Sequence, residues 1–482
     1  MHVVELFKYA KSTSDGAGNH LLSFGEFAAM YLLTWNVENW PPTYPDFKTL
    51  SSPYNNKEQD EKKYRTEVEQ LDEARRALPA VRRVFANVPT YMICDDHEIT
   101  DDWNITKEWH EGVKSSDCGK QIVANGLATY WAFQAWGNDP DLYSKDFMQN
   151  ITNYLKKNDD NVDNVVVNET RSFEDYIWNF HRWTFVAPTI PCSIFLDCRT
   201  QRHYDSLAGP PQLLNEEELH SIEQALLHAN YKNGDTLIMV PPTPVFGFDL
   251  AEELQKYLAS KSNVYKWDLE TWSANERGFV RFLTFIIQNL GPPHCIFLSG
   301  DVHYGFTISA SFTLLQKKKY GKEDLLLPIT QLNSSALKTT SIAKEMIITK
   351  VLGGARQFLS SRHSARVGWN DMSSDSKKLK ERNPNLYTSI INNLRDNPNI
   401  YEEQALQPTT TTTTTAAAAL PDWIESRSIV KAYGYGISSL ILADNNLGLL
   451  IIHVDKNKIL HHRLLVRKEK KVKVYDAITE IG

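Results

Sequence analysis

A layered α/β fold is what this 482-residue chain predicts, and two observations carry that expectation. Four short apolar runs, 192–196, 236–240, 295–298 and 328–332, each break into a polar loop, as strands do where they leave a buried sheet. Helical segments lie between several of them, above all 216–228 and 276–289, and alternation of this kind builds a sheet covered by helices. The length allows about two to four average domains, or one large core carrying insertions.

Taken in order, the apolar and aromatic segment 21–40 reads as a buried helix. Charge dominates from 57 to 85, yet Leu71, Ala74, Leu78, Val81 and Val84 recur at helical spacing, and Pro89 leads into a short strand expected at 90–93. Helical periodicity resumes over 121–137, with Trp131, Phe133 and Trp136; the stretch 150–168, rich in Asn, Asp and Lys, reads as an exposed insertion. The helix at 216–228 starts behind Pro210, Pro211 and Asn215, a cap region. The Pro-rich loop 240–247 is stiff and is expected to shape a rim, and 267–272 reads as a pocket wall or the start of a helix.

The threonine and alanine tracts within 406–422 cannot bury a core face and read as a linker or loop. Domain organisation follows: 1–405, 406–422 and 423–482. In the last segment, 438–443 and 449–454 flank AspAsnAsnLeuGly and predict a β-hairpin, with a third strand near 459–466. The basic stretch 467–473 reads as a solvated edge.

The net charge of −7 argues against a general nucleic-acid binder, because non-specific affinity for a polyanion needs clustered Lys and Arg. Five cysteines, an odd number in apolar surroundings, fit reduced core thiols better than a disulfide framework. The N-terminus lacks the basic-then-apolar order of a secretory signal, and the most apolar late stretch, 437–454, is interrupted by AspAsnAsn. A soluble, cytoplasmic protein with no membrane partner is expected.

Chemistry concentrates in two acidic–histidine clusters at strand ends, where open α/β sheets place their sites. The first, Asp95, Asp96, His97, Glu98, Asp101 and Asp102, puts five carboxylates and an imidazole within eight residues. Such acids repel one another unless a cation sits among them, and hard cations select carboxylates while tolerating imidazole. An exposed acidic turn is the bland reading; the preceding apolar run and Trp103 favour partial burial instead. The second cluster is SerGlyAspValHis, in which Gly300 permits an unusual turn and Asp301 and His303 point the same way if the chain is extended. Arg199 and Arg202 either present guanidinium groups to a phosphate or pair with Asp197 or Asp205. A glycosidase using Asp95 or Glu98 is a third reading of paired acids.

These residues, with AsnHisLeuLeuSerPheGlyGluPhe, PheLeuAspCysArgThrGlnArg, ProValPheGly and GlnLeuAsnSerSer, give a span of about 20–335 that resembles the PhoD-like metallophosphatases, a branch of the calcineurin-like metallophosphoesterase superfamily. The resemblance implies a four-layer α/β/β/α sandwich, two divalent or trivalent metal ions (Ca, Fe, Mn or Zn), and hydrolysis of phosphate monoesters or diesters. It makes Asp95, Asp96, Asp102, Asp301 and His303 metal-site residues, His97 the acid or phosphate contact, and Arg199 a substrate contact. Members also carry an early ligand motif and a GlyAsp strand end before the region matching 20–40, and neither occurs here. The chain therefore reads as the later part of such a domain, whose exposed sheet edges would call for a partner chain as cover. A non-catalytic metal- or phosphate-binding scaffold is the alternative function.

Overall fold

The structure, a computed structural model, describes residues 8–13, 17–50, 57–101, 103–160, 167–207, 209–247, 271–315, 323–335, 361–366, 423–434, 437–453, 458–468 and 471–481. Two compact units divide the chain: 1–103 with 111–180, and 104–110 with 181–482. The low-complexity tract and Asp102 lie outside the described residues.

The first unit is helical. Its helix α1, Phe24–Trp35, is set by a reciprocal cap in which Ser23 Oγ accepts from the Glu26 N–H at 3.3 Å and the Glu26 carboxylate accepts from the Ser23 N–H at 2.9 Å. The expected burial of this helix is only partial. Phe27 is buried, whereas Met30 is 56 % exposed and Leu32 and Leu33 are also exposed. Helix α2, Lys57–Asn87, is held on its N-terminal neighbour by Arg75, whose guanidinium lies over the rings of Trp40 and Tyr44, and by a Trp35–Phe85 edge contact.

Helix α3, Asp117–Tyr130, runs on into a wide turn, Trp131–Ala135, and carries the buried face of the unit. Of the segment 150–168, expected as an exposed insertion, 161–166 lie outside the described residues, and the rest belongs to two helices, α4, Lys145–Asp160, and α5, Val167–Trp178. Phe147, Ile151 and Tyr154 recur at three- and four-residue spacing and are buried. That apolar stripe outweighs the polar composition between its members.

The second unit is α/β. Among its described residues nine strands make a mixed sheet in the order β1-β2-β3-β4-β6-β5-β8-β7, with β11 also paired to β5. These are β1 Phe185–Ala187, β2 Cys192–Phe195, β3 Leu237–Val240, β4 Cys295–Ser299, β5 Gly305–Leu314, β6 Leu325–Asn333, β7 Ser361–Arg366, β8 Trp423–Ile429 and β11 Ile441–Leu442. Strands β2, β3, β4 and β6 run parallel, the remaining pairs antiparallel. Helices α6, Glu216–His228, and α7, Glu276–Phe285, carry the crossovers from β2 to β3 and towards β4. Both start on an asparagine cap: Asn215 accepts from the Glu218 N–H at 2.7 Å and Asn275 from the Gly278 N–H at 3.0 Å.

Alternation along the strands sorts the two sheet faces. Leu237, Met239, Cys295 and Phe297 pack with Ile222, Leu226, Phe279 and Leu283 of the helices. Ile238, Ile296 and Leu332 turn the other way, against Leu460 and Ile452 of a second, antiparallel sheet. That sheet has the order β10-β9-β14-β13-β12: β9 Ala432–Gly434, β10 Ile437–Ser439, β12 Asn446–His453, β13 Ile459–Lys468 and β14 Lys471–Glu480. Helices, mixed sheet and antiparallel sheet are thus stacked in that order within the unit.

The hairpin forms elsewhere than expected. The residues of β11 join the main sheet beside β5, β12 pairs with β13, and the tight hairpin is β13–β14, closing at Lys468 opposite Lys471. Asn446 explains the change of sheet. It is buried, and its side chain holds the Ser335 hydroxyl and the Asp444 carbonyl, so AspAsnAsn steers the chain from one sheet to the other. All five cysteines are free, and no helix among the described residues is long and apolar enough to cross a membrane.

One buried acid gives a stability prediction. Glu218 takes a hydrogen bond from Thr184, and burial, aided by the Asp197 carboxylate, pushes its pKa up to about 8 from an ordinary 4.5. Between those values the folded chain binds the proton that the unfolded chain has lost, so stability falls as pH rises. Glu218→Gln should be more stable than the parent at pH 9, by on the order of a few kcal/mol, and close to it at pH 4. Urea unfolding at the two pH values measures this, and equal midpoint shifts at both would contradict it.

Candidate functional site

In the first unit the acidic cluster follows an extended segment that takes the place of the expected strand at 90–93. The Asn138 side chain supplies what a neighbouring strand would. Its Oδ1 accepts from the Met92 N–H at 3.0 Å, and its Nδ2 donates to the Met92 carbonyl at 2.6 Å. The chain then tightens into a single 3₁₀ turn, Asp96–Glu98, with the Ile99 and Thr100 N–H groups both donating to the Asp96 carbonyl. Buried Ile99 and Trp103 anchor the far side of the turn. Gly126 of α3 makes room for this anchor, since a Cβ there would lie 2.8 Å from Ile99 Cδ1.

The turn brings ligand atoms of Asp96, His97 and Asp101 within 4.8 Å of one another, with Asp96 buried, Asp101 half-buried and His97 exposed. Two carboxylates and an imidazole are a donor set that hard and borderline cations accept, so the residues fit the metal that the sequence implies. Asp101 belongs to the acidic cluster but is not among the metal-site residues that the resemblance implies; Asp102, which is, lies outside the described residues. His97 offers a ring nitrogen to this group. Asp95 is half-buried, and its backbone N–H donates to Glu98 Oε2 at 2.7 Å. Glu98 Oε1 accepts from Gln134 Nε2, which also reaches the Tyr31 hydroxyl at 3.0 Å. Burial, reinforced by Asp95, raises Glu98 to about 7.

Beside the turn, in the same unit, lies a cleft of about 540 Å³ lined by α1 residues, by His97–Asp101 and by Gln134.

In the second unit β4 ends at Ser299, and the chain turns sharply rather than staying extended. Asp301 sits at φ +63°, a left-handed conformation that Asp tolerates better than most residues. The Val302 N–H donates to the Gly300 carbonyl at 2.8 Å and the Tyr304 N–H to the Val302 carbonyl at 2.7 Å, which is why the chain is not extended between Asp301 and His303. Non-glycine residues held in this way cluster at functional sites.

The GlnLeuAsnSerSer motif turns out to be the scaffold of this turn. Fully buried Gln331 donates to Ser299 Oγ at 2.6 Å and accepts from the Val245 N–H at 3.1 Å, while Asn333 donates to the Tyr304 carbonyl at 2.7 Å. Residues 241–247 are buried with it, so this loop is core, not rim.

Arg199 is 1 % exposed, and its Nη2 lies 3.8 Å from Asp301 Oδ2. Its described ion-pair partner is thus Asp301. Asp197 instead caps the loop, accepting from the Arg199 and Thr200 N–H groups at 3.1 and 2.9 Å. Arg202 Nε donates to the Cys198 carbonyl at 3.2 Å, and Asp205 lies 3.8 Å from Arg277 Nη1. Of the segment 267–272, residues 267–270 lie outside the described residues, and Trp272 is buried against Phe282 just ahead of α7.

Neither a family model, nor a curated protein, nor a solved structure matches the chain. What its sites do must be read from their donor sets.

Proposed function

We propose that the chain is a metal-dependent phosphoric ester hydrolase of the PhoD-like kind, acting on monoesters or diesters. The observation that carries this reading is the convergence of Asp96, His97 and Asp101 on one turn, with Asp96 buried. Asp96, His97 and Asp101 would hold a cation, which when bound supplies charge neutralisation for the ester and a more acidic water. The motif resemblance adds Asp95, Asp301 and His303 as further ligands and the four-layer sandwich as the complete fold. In the turn after β4, Arg199 positions Asp301: the buried guanidinium opposes the carboxylate, and Gln331 and Asn333 fix the backbone on which it sits.

A second reading, a non-catalytic metal- or phosphate-binding scaffold, is favoured by Arg199 itself. Its side chain is 2 % exposed and faces Asp301, so it is engaged inside the fold and not presented to a substrate. The test is hydrolysis of 4-nitrophenyl phosphate and bis(4-nitrophenyl) phosphate by the purified chain with Ca²⁺, Mn²⁺, Fe³⁺ or Zn²⁺. Turnover that chelation abolishes is expected. Calorimetric cation binding without turnover would replace the hydrolase by the scaffold, and release of sugar from an aryl glycoside in chelator would overturn both.

A further inference from the structure

We propose that the cleft of the first unit binds the organic substituent of the phosphate ester, and that this substituent is an uncharged group of one or two rings. The inference rests on the phosphate-ester reading of the adjoining turn. His97 and Asp101 belong both to the convergent ligand group and to the cleft wall. A phosphoryl group held at that turn would therefore lie beside a wall continuous with the cleft.

The size and lining define what fits. A volume of about 540 Å³ falls within the range of small-molecule sites, roughly 300–1,000 Å³. Phe27, Met30, Tyr31 and Trp35 give one side an apolar and aromatic surface, and Gln134 and Thr100 offer polar groups. Thr100 is 4 % exposed, and its hydroxyl has no hydrogen-bond partner among the described residues. A buried hydroxyl left so is a cost that a ligand group can relieve.

None of the described lining residues is Lys or Arg, while Glu98 and Asp101 are acids. A substituent bearing further phosphates would meet no countercharge there and would be repelled. The exposure of Met30 on an otherwise well-capped helix then has a purpose: it is wall, not uncovered core.

Binding, not turnover, tests this. Calorimetry with Mn²⁺ present compares benzylphosphonate with methylphosphonate, neither of which can be hydrolysed at its P–C bond by this chemistry. Benzylphosphonate is expected to bind about tenfold tighter or more, the gain from taking a phenyl-sized apolar area out of water. Met30→Glu, on an exposed helical position that Glu suits, should collapse that ratio towards one, and Met30→Ala should reduce it partway. Equal affinities in the parent, or a ratio unchanged in both variants, would overturn the cleft and leave the phosphate site standing. Mn²⁺ binding with neither phosphonate bound would overturn the phosphate-ester reading and this inference with it.

Discussion

Asp96→Asn is expected to lower cation-dependent hydrolysis by about two to three orders of magnitude, while leaving the metal-free protein as stable as before or slightly more so. Both halves follow from the position of one carboxylate. Asp96 is 6 % exposed and shares its turn with His97 and Asp101, so without a cation its charge is desolvated beside other acids. Asparagine keeps the shape and removes the charge. The repulsion goes, and with it the ligand that a hard cation prefers. In the parent, cation at a hundred times its dissociation constant should add about 2.7 kcal/mol of stability. In the variant that addition should vanish. Thermal melts with and without Mn²⁺ measure it independently of substrate, and a Mn²⁺-induced rise retained in Asp96→Asn would remove this residue from the site.

How much of this was legible beforehand depended on whether an element's environment is written into its own residues. Strands β3 and β4 are buried on both faces over 237–239 and 295–297, so each is a continuous apolar run there and was readable as such, and the apolar run of β2 is broken only at Ser193. Their helices announced themselves by caps, Asn215 and the residues before it. The run at 90–93 has a similar composition, yet no ladder forms there because its backbone bonds to the Asn138 side chain, a partner 46 residues away that periodicity does not encode. Likewise AspAsnAsn is a turn signal in any setting. Only the buried contact of Asn446 with Ser335, 111 residues back, makes it a crossing between sheets and not a hairpin.

The site divides in the same way. Residue types that bind cations cluster visibly in sequence, but that Asp101 comes within reach of Asp96 and His97 depends on the path of a tight turn, with buried Ile99 and Trp103 behind it. The pairing of Arg199 with Asp301 spans about a hundred residues and left no local trace. Gln331 and Asn333 did leave one: two amides inside an apolar strand are costly unless bonded, and that alternation marks them as supports for a nearby loop.

Acid should unfold the second unit through two histidines that lie outside the proposed chemistry. His294 sits 2.9 Å from Thr330 Oγ1 and His462 Nδ1 lies 2.8 Å from Thr307 Oγ1; both are almost fully buried. Burial pushes each down to about 4, with Asp476 opposing it only in part at His462. Between 6.5 and 4 the unfolded chain takes up protons that the folded chain refuses, so the stability present above 6.5 is lost as pH falls, on the order of 3 kcal/mol for each histidine. Against a typical total of about 5–15 kcal/mol, that loss is decisive. Glu218 acts in the opposite sense from 4.5 to 8. Within the second unit two histidines oppose one glutamate in the shared window, so the stability of that unit still rises with pH up to about 6.5 and declines beyond it. The double variant His294→Asn with His462→Gln should shift the acid midpoint downwards by about a pH unit or more, read from circular dichroism along a pH titration. An acid midpoint that does not move would mean that the two rings are protonated in the fold, and that the sheet stack tolerates their charge.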